Sequence, residues 1–237
     1  MTKHNLVAHL FVKQERQKPM SAIAKLDLLE GYGIKGDVSG NYSSPRQVLV
    51  VDKANINQYS IVPGELRENI VLELADTVDL KPGAKLTFSN GAAIRLTFYC
   101  EPCNRIKHLV DSPKNLVKKR GILGVIVQSG AIAINNQVKI EPHYFPALSE
   151  IPYERFLTLL HKVPRGKVIT YKQIINSIGV DRSYYRVLPI YLKKAPDNYP
   201  KHRVVDSKGQ IISHIPQQVK QLIKEGIKVL SCNNRTW

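Results

Sequence analysis

At 237 residues the chain is long enough for two compact domains, each with its own core. A composition of 43% hydrophobic and 23% charged residues is that of a folded soluble protein, and no run approaches the roughly 18 uninterrupted apolar residues of a membrane span, so no membrane partner is expected. The net charge of +16 points to an anionic partner and is uneven: residues 150–237 hold 16 Lys and Arg against 6 Asp and Glu, whereas residues 1–149 hold 19 against 13.

The opening MTKHNLVAHLFVKQ lacks the basic start, long apolar stretch and small-residue cleavage site of a secretory signal, so a cytoplasmic location is expected. From there to about residue 147 the chain reads as β-rich. LVAHLFV, AIAKLDL, RQVLVVD, AKLTF, AAIRLTF, GVIVQ, AIAI and QVKI are short runs with β-branched residues or alternation, separated by turn signals such as KPGAK, SNGA and QSGA. Many short strands with few helical stretches predict a barrel or sandwich; only Asn104 to Lys119 reads as helical or irregular. Cys100 and Cys103 form a CxxC with no second pair, which argues against a four-cysteine zinc site. A redox pair is an alternative, although no thioredoxin-like βαβ pattern surrounds it.

Order and spacing carry more. GIKGDVSGNYSSPRQVLVV, PGELRENIVLE, LKPGAKLTF, FYCEPCNRI and GILGVIVQSGAI follow one another as in the MOSC domain, which this region resembles from end to end. The resemblance implies a β-barrel associated with molybdenum-cofactor sulfurases and small molybdenum reductases. It makes Cys103, after Pro102, the ligand to metal or sulfur, and Arg46, Gln47 and Asn69 the cofactor-binding residues. The residue types suit this: a soft thiolate fits molybdenum or a persulfide, and cationic and amide donors fit a pterin's phosphate and oxo groups. Structural roles also suit them, with Cys103 as a packed thiol and Arg46 and Asn69 at strand ends. Cys100 is expected to pack, and His108 to lie at the surface.

Two prolines in EPHYFP, Glu141 to Pro146, predict a stiff linker. Beyond it the period becomes helical, and residues 150–237 form the second predicted domain. Tyr153, Phe156, Leu157 and Leu160 make an amphipathic stripe. Thr170 is placed to cap a helix with Tyr171, Ile174, Ile175 and Ile178 inward, closed by Gly179. Asp181 starts a third helix, on which Arg182, Arg186 and Lys193 share an outward face and Pro189 is expected to make a kink. Two helices so arranged predict a helix-turn-helix, winged-helix-like domain. The whole is α+β: a β-barrel followed by a mainly helical domain.

VPRGKVITYKQI, DRSYYRVLPIYLKKAP, YPKHRVVDSKGQI and the closing QVKQLIKEG resemble the C-terminal domain of the alkylguanine-DNA alkyltransferases, from Tyr153 to Lys228. In that family a cysteine between the proline and the histidine accepts the alkyl group; here the position is Lys201, whose ammonium has no free lone pair. The match is therefore to the alkyltransferase-like branch, which binds alkylated DNA without repairing it and usually carries tryptophan at this position. By residue match, Tyr171 rotates a phosphate and Arg186 fills the gap left by a flipped nucleotide. Arg182, Lys193, Lys194, Lys201 and Arg203 complete the expected DNA contacts. The segment after Gln210, IISHIPQQ, lacks the family's glycine-rich pocket wall.

The sequence thus predicts a MOSC domain that binds a molybdenum cofactor (molybdopterin) or carries sulfur, fused to a non-catalytic domain that binds double-stranded DNA, plain or alkylated. Enzymatic activity, if present, belongs to the barrel. The alternative is a molybdenum reductase of N-hydroxylated small molecules whose C-terminal domain only packs. Alkyl transfer by Cys232, far past the closing helix, is not expected.

Overall fold

The structure is a computed structural model describing residues 4–75, 80–230 and 235–236; Cys232 lies outside them. The chain divides into two compact units, Met1–Leu148 and Ser149–Trp237. The fold is α+β, sheet-rich in the first unit and mainly helical in the second.

The first unit runs β1 (Leu6–Val12), β2 (Ser21–Ala22), β3 (Lys25–Leu29), β4 (Gly33–Ile34), β5 (Val48–Asp52), α1 (Lys53–Gln58), β6 (Ile70–Glu73), β7 (Lys85–Phe88), β8 (Ala93–Tyr99), β9 (Ile122–Gln128), β10 (Gly130–Ala133) and β11 (Val138–Glu141). The main sheet has the order β11-β7-β8-β9-β5-β6-β1-β2, and β3 lies between β10 and β4 in a second sheet. Among the described residues of this unit, only β5 and β6 pair in parallel. The main sheet curls until β1 reaches the approach to β11: Leu6 bridges Gln137, Val7 N donates to Asn136 O at 3.0 Å and Val138 N to Asn5 O at 2.9 Å. That contact is one bridge and not a strand pair, so the barrel expected from the sequence is curled without a closing ladder.

Alternation along the strands builds two cores. Val48 and Val50 of β5, with Ile70 and Leu72 of β6, enter one cluster; Leu49, Val51 and Val71 enter the other. This is the period-2 logic of a sheet covered on both faces. In β8, Ile94 and Leu96 join the first cluster, but Phe98, and Cys100 just after the strand, join the second. A register shift between Leu96 and Tyr99 inverts the parity, as one extra residue in a strand must. It carries the Cys100 segment to the second core.

α1 and β6 were not among the predicted elements. α1 has six polar-rich residues, too short for a helical stripe, and is started by Asp52, whose side chain accepts from Ala54 N. The Asn104–Lys119 region contains two 3-10 turns, Lys107–Leu109 and Pro113–Leu116. The predicted linker is not free. Phe145 N donates to Gly83 O at 2.8 Å, Arg95 Nη2 donates to Pro146 O at 2.6 Å, and Arg95 and Lys85 lie over the Phe145 and Tyr144 rings. Its aromatic residues, wedged between prolines, found cations on the neighbouring strands.

The second unit comprises α2 (Pro152–Lys162), β12 (Ile169–Thr170), α3 (Tyr171–Ile178), a 3-10 turn (Arg182–Arg186), α4 (Leu188–Lys194), a 3-10 turn (Lys201–Arg203), β13 (Val204–Val205) and α5 (Gln218–Lys224). Thr170 caps α3 in a full capping box with Gln173, and Gly179 ends it at φ 67°. Phe156, Leu160, Ile174, Ile175, Ile178, Leu188 and Leu192 form the core. Arg155 is buried too, its Nε donating to Ile178 O at 2.8 Å.

The third helix is not one helix. Pro189 sits in the first turn of α4, where its missing N–H would have had no helical partner anyway, so the chain breaks at Val187 instead of kinking. On the preceding 3-10 turn, positions four apart are rotated by about 120°. The i, i+4 spacing of Arg182 and Arg186 therefore does not stack them on one face.

Glu225, just beyond α5, ties the unit together. Its carboxylate accepts from Arg203 Nη2 at 2.7 Å and from Gly166 N at 3.1 Å, and lies 2.9 Å from His202 Nε2. Arg203 Nη1 in turn donates to Val163 O at 2.6 Å. Buried Gln218 adds bonds to His202 O and Val204 O and accepts from Ile212 N.

Two outcomes are expected. Gly121 has φ 111°, and a Cβ there would meet Val50 O at 2.5 Å. Gly121→Ala should cost about 3 kcal/mol, read by thermal or denaturant unfolding. The Arg203 guanidinium holds the Glu225 carboxyl down at about 2, from an ordinary value of 4.5. A depressed carboxyl contributes stability that is present above pH 4.5 and lost as the pH falls towards 2. Glu225→Gln should therefore remove about 2 kcal/mol at neutral pH, and the difference from wild type should shrink across that acid window.

Candidate functional site

The first unit has a pocket of about 150 Å³ lined by Lys13, Asp37, Arg46, Arg67, Asn69, Cys100, Arg105 and Arg120 among others. Five cations face one carboxylate. Asp37 follows the Gly36 turn and is tied to the backbone: Oδ2 accepts from Lys13 N at 2.8 Å and from Asn69 Nδ2 at 3.0 Å, and Oδ1 from Ser39 N at 2.7 Å. Asn69 is committed as well, accepting from Leu49 N through Oδ1 and donating to Phe11 O through Nδ2. It staples β5, β1 and the Asp37 turn, and so forms the pocket wall.

Like charges brought this close resist each other. Burial, then Arg67 and Arg105, lowers the Lys13 pKa; burial, then Arg105 and Arg120, lowers that of Arg67. Arg67 also adopts φ 66°, a left-handed conformation that is costly for a residue with a Cβ. A pocket that concentrates positive charge in this way attracts anions.

Cys103 is exposed, and Arg120 Nη1 lies 3.5 Å from its Sγ. Arg120 also donates to Glu101 O, holding the segment that carries the thiol. Cys100 is buried, and burial pushes its thiol pKa up, so Cys103 is the accessible sulfur of the pair. Behind Arg120, fully buried Glu68 accepts from Gly64 N through Oε1 while Oε2 has no partner; burial raises its pKa. Arg46 lines the pocket. Gln47 is not among the lining residues: its amide donates to Gly31 O and Asn41 O and accepts from Ile126 N. Among the described residues no group of three or more His, Cys, Asp or Glu could hold a metal ion.

In the second unit Arg182, Arg186, Lys193 and Lys194 are exposed, and Lys194 Nζ lies 4.7 Å from the Tyr153 ring centre. The parallel β12–β13 pair sets Thr170 beside Val205, and so brings Tyr171 near Asp206. Burial, with Asp206 adding to it, pushes the Tyr171 phenol up to about 12, so it keeps its proton. Tyr184 packs at 6.3 Å from Tyr191, which lies 5.0 Å from Tyr153. Arg203 is held by Glu225 and Val163 O, not displayed with the other cations.

Lys193 also lines a cavity of about 550 Å³, together with Pro189, Ile190, Leu192, Lys201, His214, Ile215 and Pro216. The segment without a glycine-rich wall thus supplies a wall of its own through His214, Ile215 and Pro216. Lys201 Nζ donates to Asp197 Oδ1 at 2.7 Å and to Ala195 O at 3.1 Å.

The sequence reading did not single out Lys13, Arg67, Arg105 and Arg120. Their spacing from residue 13 to residue 120 carries no local signal of a shared pocket, although Arg67 lies within PGELRENIVLE and Arg105 two residues after Cys103.

Residues 152–227 match the family profile described as 6-O-methylguanine DNA methyltransferase, DNA binding domain. Among solved structures, the YuaD protein of Bacillus subtilis aligns at 19% identity over 58% of this chain and 96% of its own, with a TM-score of 0.51. Atl1 of S. pombe, solved in complex with damaged DNA containing O6-carboxymethylguanine, aligns at 28% identity over 33% of this chain and 79% of its own, with a TM-score of 0.31. YiiM of Geobacillus stearothermophilus aligns at 13% identity over 79% and 98%, with a TM-score of 0.48. No curated protein matches the sequence. The chain thus shares the fold of YuaD over 58% of its length, and its residues 152–227 are similar to the DNA-binding domain of the 6-O-methylguanine DNA methyltransferases.

Proposed function

We propose that the second unit binds duplex DNA, draws a modified nucleotide towards the Lys201 cavity and leaves it chemically unchanged. Lys201 carries this reading. An ammonium paired with Asp197 has no lone pair with which to attack an alkyl carbon, so the site can hold a lesion and cannot accept its alkyl group. The family profile supports DNA as the partner, and the exposed cations Arg182, Arg186, Lys193 and Lys194 suit phosphates. Extruding a base costs a few kcal/mol of stacking, which the planar Arg186 guanidinium can offset in part by filling the gap. The protonated Tyr171 phenol is suited to donate to a displaced phosphate.

For the first unit we propose an anionic ligand whose charged end enters the five-cation pocket. At about 150 Å³ the pocket is small beside the roughly 300–1,000 Å³ of sites that enclose a whole small molecule, so the body of the ligand would lie outside it. The phosphate of a molybdenum–pterin group fits that donor set, held by Lys13, Arg46, Arg67, Arg105 and Arg120. The exposed Cys103 thiol suits the role of soft ligand or sulfur carrier. Because the protein side offers no metal-binding cluster among the described residues, a metal here would arrive within its own organic ligand. Such a group supplies two-electron redox chemistry when bound; the chain's part is to grip its anionic end and present a thiol.

Fluorescence anisotropy should show duplex binding that weakens as salt rises, with a log–log slope of about −4 for about four phosphate contacts, and Arg186→Ala should lower affinity about tenfold. Absence of affinity at low salt would reject DNA as the partner. A radiolabelled O6-methylguanine duplex should leave no label on the protein. Elemental and pterin analysis of the native protein tests the first unit: bound pterin should be lost in Arg67→Ala, whereas Cys103→Ser should keep pterin but alter the metal's absorption spectrum.

A further inference from the structure

The cavity of the second unit departs from a pocket for a neutral alkyl group in its charge. Its apolar walls, chiefly Ile190, Leu192 and Ile215, are interrupted by Lys193, Lys201 and His214, and no acidic side chain is among its lining residues. The Lys201 side chain is 22% exposed, whereas that of its partner Asp197 is fully exposed. An ion pair whose acid stands in solvent is weakly held, so an anion in the cavity can take over that ammonium at little cost. An ammonium also has three donors. Two are used, on Asp197 and Ala195 O, which leaves one for an occupant.

We propose that Lys201 sets the lesion preference of this pocket towards guanines whose O6 substituent ends in a carboxylate, over neutral alkyl groups. The inference rests on the reading of this unit as a binder of modified, extruded nucleotides. A carboxylate leaving water for an apolar cavity needs a charged partner, and Lys201 supplies a charge-assisted hydrogen bond. A methyl group in the same place gives the ammonium nothing in exchange for the water it displaces. One side chain therefore favours one adduct and disfavours the other, which is how selectivity between ligands of similar shape is built.

The test uses the full chain and three labelled duplexes that differ only at one central base: guanine, O6-methylguanine or O6-carboxymethylguanine. Wild type should bind the carboxymethyl duplex about tenfold more tightly than the methyl duplex at low salt. In Lys201→Gln that ratio should fall towards one, and Lys201→Arg should retain most of it. Asp197→Asn, at an exposed side chain, releases the ammonium and should widen the ratio; it decides the matter if Lys201→Gln does not fold. Equal affinity of wild type for the two modified duplexes overturns the inference, as does a ratio unchanged in Lys201→Gln, or one that fails to rise in Asp197→Asn. Binding to none of the three duplexes removes the DNA reading itself, whereas binding to all three without a carboxymethyl preference removes only the role given to Lys201.

Discussion

The second unit depends on one carboxylate. Glu225 gathers Arg203, His202 and the Gly166 amide, and Arg203 passes the restraint on to Val163 O. The turn before β12, the Lys201–Arg203 turn and the end of α5 are thereby fixed to one another, although they lie up to about 60 residues apart in the chain. Lys201 opens the very turn that this cluster anchors, so the position of the cavity's cation follows from an ion pair two residues away. A charge-assisted, multiply bonded carboxylate of low exposure resists rearrangement far better than an isolated surface pair. The surface pair Lys201–Asp197 is of that weaker kind and sits where exchange with a ligand is useful.

The first unit solves a different problem, which is to hold like charges together. Lys13, Arg67, Arg105 and Arg120 come from four separate segments and repel one another; burial first, and this repulsion after it, lowers the pKa values of Lys13 and Arg67. What opposes the repulsion is the Asp37 carboxylate, the hydrogen bonds that tie it and the Asn69 amide to the end of β1 and to β5, and the second core against which those strands pack. The shift in β8 completes the arrangement by carrying Phe98 and Cys100 into that core instead of the first. Cys103, three residues on, then lies beside Arg120. A bound anion would relieve the repulsion and so stabilise the pocket locally.

Much of this was legible in the residues. The alternating runs became β1, β3, β5, β7, β8, β9, β10 and β11, because alternation needs only a sheet with two faces. Thr170 and Gly179 marked the ends of α3, because caps act within one turn of chain. The predicted third helix failed at Pro189 because a proline inside a helical pattern has two outcomes, a kink or a new first turn, and local sequence does not choose between them. Arg203 looked like one more surface cation beside Lys201. Its partner stands 22 residues later, in a position no spacing rule connects to it.

By itself the sequence determined the alternation that makes a β unit, the capped helix α3 of the second unit, and the lysine where a sulfur nucleophile was expected. Each is a property of the residue or of its near neighbours, and survives whatever the rest of the chain does. Only the tertiary structure decided which cations converge on the pocket, which of the expected polar residues are spent on the fold, as Gln47, Asn69 and Arg203 are, and what faces Lys201. Those are long-range pairings, set by strand register and core packing, and a hydrogen-bonding side chain carries no mark in the sequence that tells a ligand from a carbonyl sixty residues away.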